Sequence, residues 1–408
     1  MSVLVERVIA SLADLPAVDQ HCHTLVREWS ALGDSDAPAW RRCFTEAVRP
    51  ASLASDVAGS RGYREFLRAL ASFLGEGAHE PVELEARVVR RRALAVGDEP
   101  DLYARRLFDD ARISTLLVDT GFGSPASTTA AFARAVGRPV RTIVRIESVA
   151  EGCLAAARQP SLTPLEFTDA LLEELDRAVA AGAIGFKSIA AYRGGLDLPE
   201  PSASQVARAF RRLDRKAQAR RLDDRIVVAH VVWTAARLGA ARGVPLQFHV
   251  GFGDEDVHLP AADPSLLRPL LRAPATEECR VILLHSHPFV HQAAYLASVF
   301  PQVHVDLSLT IPLLGGAGAE RAIGSALALC PTTKLLAASD GHSYPEMHWR
   351  GMRLWREALG RVLVVELAAG RMDEAEVEPI ARGILAGNSE RVYRLLPPPA
   401  APGSRSTA

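Results

Sequence analysis

The sequence has few of the features that mark secreted, membrane or nucleic-acid-binding proteins. Its 408 residues include only five cysteines, which are scattered along the chain and show no CxxC spacing. An odd number of scattered cysteines argues against a disulfide framework and favours reduced thiols in the cytoplasm. The charge is nearly balanced, with 47 basic and 48 acidic residues and a net charge of −1. No overall field therefore favours nucleic acid or a membrane surface as a partner.

Long apolar runs are also missing. No uncharged stretch approaches the roughly 18 residues that a transmembrane helix requires. The first segment carries Glu6 and Asp14 and lacks the basic start and apolar core of a signal peptide. We therefore expect a cytoplasmic protein that acts on a small molecule. The final residues, 396–408, are rich in Pro, Ser and Ala, which predicts a disordered tail.

Residues 1–395 contain a regular alternation of apolar runs and helical patterns. The hydrophobic content of 48% is enough for a large core. Each run is followed by a helical pattern, so the chain predicts an α/β fold of the (β/α)8 TIM-barrel type, with a doubly wound parallel sheet as the alternative. The predicted strands lie at residues 17–22, 113–119, 141–147, 183–190, 245–250, 280–286, 302–308 and 334–340.

A long helical insertion follows the first predicted strand. Between about residues 27 and 111 there is no strand signal, and apolar residues recur at helical spacing. We expect this insertion to act as a lid over the site. Trp29, Trp40 and Phe44, near its start, form either a pocket wall or the insertion's own small core.

Polar side chains stand at the ends of five of the predicted strands, in an otherwise apolar setting. His21 and His23 lie two residues apart on the first strand and so share a face. In a TIM barrel the active site lies at the carboxyl ends of the strands, and a buried imidazole or charge needs a partner there. The whole series predicts a metal site. Its members are His21, His23, Lys187, His249, His285 and Asp340.

The order HxH, Lys, His, His, Asp resembles that of the amidohydrolase superfamily. Three segments resemble its amidohydrolase family 2 branch, and within it the module fused to glutamine synthetase in fungal developmental proteins and plant nodulins. These segments are LLHSHPFVHQAAYLASVFPQVHVDLSLTIPLL at 283–314, ASDGHSYPE at 338–346 and ILAGNSERVYRL at 384–395. The similarity extends over almost the whole chain up to residue 395.

The resemblance implies a divalent metal, most simply zinc, with one or two ions. The metal would lower the pKa of a bound water toward ~7. Asp340 would take the proton from that water and pass it to the leaving group, which makes it a catalytic residue together with His285. The ligands implied for the first ion are His21, His23, His249 and Asp340.

Lys187 and His285 leave the number of metal ions open. The resemblance implies that Lys187 is a ligand only as a carbamate, which would bridge two ions with His285 on the second. The first alternative is an ordinary ammonium that binds a substrate carboxylate or pairs with an acid. The second is a mononuclear centre, in which His285 polarises the substrate without binding metal.

Other side chains at the same rim are candidates for substrate binding. Arg145 and Glu147 end the third predicted strand, and Tyr192 and Arg193 follow the fourth. Arginines near a metal suggest recognition of a carboxylate; the alternative is a salt bridge of Arg145 with Glu147 or a neighbour. His287 is expected to face the site as well.

Asp19 precedes His21 by two residues on the first predicted strand. On a regular strand it would share the face of His21 one step deeper. We therefore expect Asp19 to orient an imidazole of the metal site by accepting its N–H.

The predicted reaction is hydrolysis of a C–N bond in a small amino-acid-like compound. The resemblance to a module partnered with glutamine synthetase suggests a γ-glutamyl or N-acyl amide. The main alternative is a metal-dependent non-oxidative decarboxylase, because family 2 includes such enzymes. A non-catalytic scaffold barrel is a third possibility, against which the complete ligand set argues. Since large barrels are often dimers, a homo-oligomer is expected.

Overall fold

A computed structural model describes residues 2–32, 39–49, 55–77, 81–121, 127–156 and 162–395. The predicted tail at 396–408 lies outside these residues. None of the helices in the described part of the chain is both long enough and apolar enough to cross a membrane.

Eight parallel strands form one sheet, and their order in the sheet is their order in the chain. Every strand pairs in parallel with the next one. This order confirms the predicted TIM barrel and excludes a doubly wound sheet, whose strand order would reverse at a switch point. The strands are β1 (Ala17–Cys22), β2 (Ile113–Asp119), β3 (Val140–Arg145), β4 (Gly185–Ser188), β5 (Leu246–His249), β6 (Val281–Leu284), β7 (Val303–Asp306) and β8 (Leu335–Leu336).

The barrel closes between the segments that follow β1 and β8. The backbone N–H of Asp340 donates to the carbonyl of His21 at 3.0 Å, and that of His23 donates to the carbonyl of Gly341 at 2.8 Å. An isolated parallel bridge continues this pairing further along both segments. The closure therefore occurs at the level of three predicted metal ligands and fixes their main chains relative to one another.

Helices surround the sheet and form the insertion after β1. Each strand of the barrel is followed by at least one helix, and the described residues between β1 and β2 form four α-helices. The α-helices are α1 (Ser2–Leu12), α2 (Val57–Gly59), α3 (Arg61–Phe73), α4 (Pro81–Val96), α5 (Pro100–Asp110), α6 (Thr129–Val136), α7 (Ile146–Ala156), α8 (Pro164–Ala180), α9 (Ala203–Arg212), α10 (Arg215–Gln218), α11 (Arg225–Arg242), α12 (Arg268–Arg272), α13 (Val290–Val299), α14 (Thr310–Leu327), α15 (Pro345–Ala368), α16 (Glu374–Arg382) and α17 (Asn388–Tyr393).

The third strand is shorter than predicted. We expected it to reach residue 147, but β3 ends at Arg145 and α7 begins at Ile146. The residues of α7 that are buried include Ile146, Ala150 and Cys153, which recur at helical spacing. The helix therefore starts directly at the rim of the barrel, and Glu147 belongs to its first turn.

The insertion has its own aromatic core. Trp40 and Phe44 are buried, and their rings contact Phe66 on α3, with centroids 5.4 and 4.9 Å apart. The Trp40 indole N–H also donates to the Tyr63 hydroxyl at 2.9 Å. These contacts favour the second alternative for Trp40 and Phe44, a core internal to the insertion.

A buried ion pair attaches the insertion to the barrel. Arg92 on α4 pairs with Glu346 on α15, and both side chains are almost completely buried. Arg92 also donates to the carbonyls of Trp29 and Ser30, at 2.9 and 2.7 Å. Because α15 begins just after the loop that carries Asp340, this pair docks the insertion close to the predicted metal site.

Candidate metal centre

A cavity of about 220 Å³ opens at the carboxyl ends of the strands. This is the end at which TIM barrels carry their active sites. All six predicted metal ligands line it, together with residues from the insertion and from the loops that follow the strands. The lining residues are His21, His23, Glu46, Arg145, Lys187, Ile189, Tyr192, Arg221, His249, Asp254, Asp256, His285, Leu309, Asp340 and His342.

Hydrogen bonds behind the rings of His21 and His23 direct their Nε2 atoms toward the cavity. The Nδ1 of His23 lies 3.1 Å from the backbone carbonyl of Asp119, which can only accept. The Nδ1 of His21 lies 2.9 Å from Oε1 of Gln247. A neutral imidazole that donates through Nδ1 keeps its lone pair on Nε2. Both rings are therefore oriented as metal ligands.

The carboxylate of Asp340 lies close to both of these Nε2 atoms. Its Oδ1 lies 3.2 Å from Nε2 of His21 and 3.3 Å from Nε2 of His23. This oxygen is buried and has no hydrogen-bond donor among the described residues. Burial by itself would raise the pKa of Asp340, but His285, His21 and His23 hold that pKa well below its usual value. The carboxylate is thus ionised at neutral pH.

Burial keeps the imidazoles of His21 and His249 neutral. It lowers the pKa of His21 to about 4 and that of His249 to about 3, and the nearby Lys187 lowers both further. At neutral pH no ring proton then stands between Asp340 and Nε2 of His21. Electron pairs that face each other in a buried site are unfavourable unless a cation lies among them. The donor set therefore fits a divalent metal held by His21, His23 and Asp340.

His285 is the fourth side chain whose placement suits a ligand. It follows β6 directly, and its Nδ1 lies 3.0 Å from the hydroxyl of Ser308. Its ligand atom, one from His21 and one from Asp340 all lie within 4.8 Å of one another. His285 and Asp340 both have a left-handed backbone, with φ of 69° and 51°, a conformation that non-glycine residues adopt rarely and often at functional sites.

His249 and Lys187 line the same cavity with different contacts. The Nε2 of His249 lies 2.9 Å from the carbonyl of Phe252, so its lone pair is on Nδ1. None of the three-ligand groups in the described part of the chain includes His249. The Nζ of Lys187 lies 3.3 Å from Nε2 of His21. Burial lowers the pKa of Lys187 to about 8.

Two of the predicted substrate-binding residues line the cavity. Arg145 ends β3 and forms a salt bridge with Asp119, at 2.6 Å. A salt bridge with a neighbour was the alternative for Arg145, and the neighbour is Asp119 instead of Glu147. The ring of Tyr192 packs against that of His249, with centroids 4.6 Å apart.

The other three predicted substrate-binding residues do not line this cavity. Glu147 is buried and accepts from the hydroxyl of Ser188 and from a backbone N–H, because α7 has begun before it. Arg193 pairs with Glu151 at 3.2 Å. His287 is partly buried, and its carbonyl accepts the N–H of Phe252.

Asp19 lies on the opposite side of β1 from His21. It accepts from the backbone N–H and the hydroxyl of Ser339, and its Oδ2 is 3.5 Å from Nδ1 of His348. The register of β1 against β2 shifts between Asp19 and Cys22, so the two-residue period on which its prediction rests is broken there. Asp19 thus holds Ser339, the residue next to Asp340. The acceptor beside Nδ1 of His21 is Gln247.

Several residues of the site were not predicted. Asp119 and Asp306 end β2 and β7, so they carry the same signal as the predicted ligands, a polar residue at the end of an apolar run. Gln247 lies inside β5, where sequence gives no sign that it faces His21. Glu46 reaches the cavity from the insertion, and burial raises its pKa to about 7, with Asp340 and Asp254 contributing.

Comparisons with known proteins show which proteins the chain is similar to. No protein-family model matches the chain. The chain is 32% identical to protein fluG of Emericella nidulans over 288 residues, which make up 64% of this chain and 33% of fluG. It thus spans about a third of the length of that relative. A solved structure from Lactobacillus casei ATCC 334, described as a candidate metal-dependent hydrolase, is 30% identical, with a TM-score of 0.82 and coverage of 95% of this chain and 97% of that one.

More distant structures share the fold. A glucuronate isomerase from Caulobacter crescentus is 15% identical, with a TM-score of 0.67 and coverage of 98% of this chain and 95% of that one. A uronate isomerase from Thermotoga maritima is 13% identical, with a TM-score of 0.65 and coverage of 96% and 97%. At these identities the likeness concerns the barrel alone.

Proposed function

The chain belongs to the amidohydrolase superfamily, and from that membership and the geometry of its metal centre we propose that it activates water to cleave the C–N bond of a small, carboxylate-bearing amide. The observation that carries this proposal is the approach of Nε2 of His21 and Nε2 of His23 to the same oxygen, Oδ1 of Asp340, at 3.2 and 3.3 Å. The metal expected there is zinc, which suits two imidazoles and a carboxylate.

Bound metal would supply a water of lowered pKa and would polarise the amide carbonyl. Asp340 is the group that moves the proton. Its ionised carboxylate can accept a proton from water and pass it to the departing nitrogen, which turns an amide anion into a neutral amine. Oδ2 of Asp340 lies 3.9 Å from Nδ1 of His285, and both residues line the cavity, so both would border the reacting atoms.

Lys187 supports a second part of the proposal, in which its carbamate would help to hold two ions. An ammonium 3.3 Å from Nε2 of His21 would compete with a metal for that lone pair. Because burial lowers the pKa of Lys187 to about 8, a fraction of the side chain is a neutral amine at neutral pH. That amine can add to carbon dioxide, forming an N–C bond and releasing one proton to solvent. The product is an anion that attracts metal.

Charges around the cavity agree with a small polar substrate. Arg145 and Arg221 line it and are already paired with Asp119 and Asp256, at 2.6 and 3.0 Å. Each guanidinium has donors beyond those its partner uses, so it can add a substrate carboxylate to an existing pair. A γ-glutamyl amide has such a carboxylate on its glutamyl part, and an N-acyl amino acid has one on the carbon bonded to the scissile nitrogen.

A substrate screen tests the proposed reaction. Purified protein, loaded with zinc, is offered γ-glutamyl amides, N-acyl amino acids and carboxylated aromatics, and release of ammonia or amine is compared with release of carbon dioxide. We expect ammonia or amine from at least one amide and none from Asp340→Asn. Carbon dioxide from the aromatics would instead establish the decarboxylase alternative. A zinc-loaded protein inactive on all three classes would leave the scaffold alternative.

Two further proposals concern the setting in which the protein works. All five cysteines are free thiols, which agrees with the reducing conditions of the cytoplasm. Homo-dimerisation remains a prediction from the size of the barrel. Light scattering of the purified chain would give its mass directly.

A further inference from the structure

A buried hydrogen-bonded chain runs from the end of β7 to the back of His21. Oδ2 of Asp306 lies 2.6 Å from Nε2 of Gln20. Oε1 of Gln20 lies 2.7 Å from the hydroxyl of Tyr393, which lies 2.7 Å from Nε2 of Gln247. Oε1 of Gln247 then reaches Nδ1 of His21 at 2.9 Å. All five side chains are buried.

The direction of every hydrogen bond in this chain follows from its first member. An ionised carboxylate can only accept, so Gln20 must present its NH₂ to Asp306 and its oxygen to Tyr393. The Tyr393 hydroxyl donates to that oxygen and accepts from Gln247. The oxygen of Gln247 is left to accept the Nδ1–H of His21, which places the lone pair of His21 on Nε2, in the cavity.

A second branch runs from the same carboxylate to His285. Oδ1 of Asp306 accepts from the backbone N–H groups of His285 and Ser308, at 2.9 and 2.7 Å, and from the Ser308 hydroxyl. Because that hydroxyl proton is already donated, Ser308 Oγ can only accept from Nδ1 of His285, 3.0 Å away. The lone pair of His285 is therefore also on Nε2.

We propose that Asp306 is a positioning residue that sets the tautomers of two imidazoles in the metal centre. It acts on His285 through Ser308, and on His21 through Gln20, Tyr393 and Gln247. The proposal rests on the proposed metal-binding function, since a tautomer matters only if the Nε2 lone pairs are used. It assigns Tyr393, at the end of α17, a role in the site although it lies outside the cavity lining.

The two branches differ in how much they depend on Asp306. Nε2 of Gln247 also donates to the backbone carbonyl of Gln20 at 3.0 Å, and this second contact holds part of the orientation of the Gln247 amide when Asp306 is lost. At Nδ1 of His285, the hydrogen-bond partner among the described residues is Ser308 Oγ, and Oδ2 of Asp340 lies beyond hydrogen-bond distance at 3.9 Å. Loss of Asp306 should therefore release the tautomer of His285 more than that of His21.

Nitrogen NMR of metal-free protein tests the proposal without any assay of activity. Protonated and unprotonated ring nitrogens of neutral imidazoles have well-separated ¹⁵N shifts, and both rings are neutral near pH 7.5 because burial lowers their pKa values. We expect Nδ1–H for His21 and His285 in the wild type. Asp306→Asn and Ser308→Ala should convert His285 to a tautomer mixture, whereas Tyr393→Phe should shift the signals of His21 and leave those of His285 unchanged.

Zinc affinity, measured by competition with a chromophoric chelator, supplies the second readout. Loss of a residue that orients a metal ligand lowers affinity by about 10–100-fold, and we expect losses in this range for Asp306→Asn and Ser308→Ala. Tyr295→Phe, on an exposed tyrosine, is the matched control for Tyr393→Phe and should change neither shifts nor affinity. Thermal unfolding confirms that each variant folds.

The outcomes separate this proposal from the proposed function. If Asp306→Asn and Ser308→Ala both fold and keep His285 as Nδ1–H, or if wild-type His285 is Nε2–H, Asp306 does not set the tautomer. If Asp306→Asn fails to fold, Ser308→Ala and Tyr393→Phe decide each branch separately. A wild type with the expected tautomers that binds no zinc would refute the metal-binding function and leave the tautomer result standing.

Discussion

Replacing Asp340 by asparagine should make the metal-free protein more stable while it removes metal binding. Oδ1 of Asp340 is buried, lies 3.2 and 3.3 Å from two imidazole lone pairs and accepts no hydrogen bond within the described chain. An asparagine can place its NH₂ at the same position and donate to Nε2 of His21 or His23. The wild-type carboxylate is thus placed to bind a cation, and this placement lowers the stability of the metal-free protein.

The size of the effect follows from the two changes at that oxygen. A buried polar group without a partner costs about 1–3 kcal/mol, and a new hydrogen bond contributes about 0.5–1.5 kcal/mol. We expect the free energy of unfolding to rise by about 1–3 kcal/mol. With an unfolding entropy of ~2.1 cal/mol/K per residue over 408 residues, the midpoint of thermal unfolding should rise by about 1–3 °C in the presence of a chelator.

A second buried aspartate provides the control. Both oxygens of Asp19 accept from Ser339, one from its backbone N–H at 2.8 Å and one from its hydroxyl. Asparagine would leave one of these donors unpaired, so Asp19→Asn should destabilise the protein by about 1–3 kcal/mol. Differential scanning calorimetry of metal-free wild type and both variants measures the contrast. If Asp340→Asn were as destabilising as Asp19→Asn, Asp340 would be a satisfied structural carboxylate and the idea of converging lone pairs would fail.

The remaining predictions concern metal, pH and the insertion. Zinc should raise the midpoint of thermal unfolding of the wild type but not that of Asp340→Asn, because a ligand stabilises only the state that binds it. Equal shifts of the two midpoints in calorimetry would show that zinc binds elsewhere. The neutral fraction of Lys187 increases as pH rises through about 8. At matched concentrations of dissolved carbon dioxide, apo-protein plus zinc should therefore be activated faster at pH 8.5 than at pH 6.5, and Lys187→Arg should not respond; a pH-independent rate would refute carbamylation. Arg92→Met should lower the free energy of unfolding by about 3–5 kcal/mol, since Glu346 is left buried without a cation and keeps only the hydrogen bond from Tyr103. Arg61→Met, on an exposed arginine, should change it by less than about 1 kcal/mol in urea titrations.

Much of the fold followed from the sequence because the signals were local and repeated. Apolar runs of strand length alternate with helical patterns, and this periodicity alone gave all eight strands in order. The resemblance to the module in fungal developmental proteins is confirmed by the similarity to fluG. The end of β3 was misplaced, because the same apolar residues continue from strand to helix without a turn signal and only tertiary packing decides where α7 begins.

The predicted metal ligands share one local signal, a polar side chain at or just past the end of an apolar run. His21 and His23 meet Asp340 because the end of β1 pairs with the segment that follows β8. Asp19 lies elsewhere because an irregularity in β1 changes the face, and no pattern of residue types reveals such a shift. Gln247 and Tyr393 act through contacts between residues 146 positions apart, which a single sequence does not encode in any local pattern.

The measurement that tests the central claim most directly is the zinc content of the purified chain after reconstitution and dialysis, determined by mass spectrometry on wild type and on a His21→Ala, His23→Ala double variant. The metal centre described above predicts at least one tightly held ion per wild-type chain and none in the double variant. A wild type that retains no metal, or a double variant that retains as much as the wild type, would contradict it.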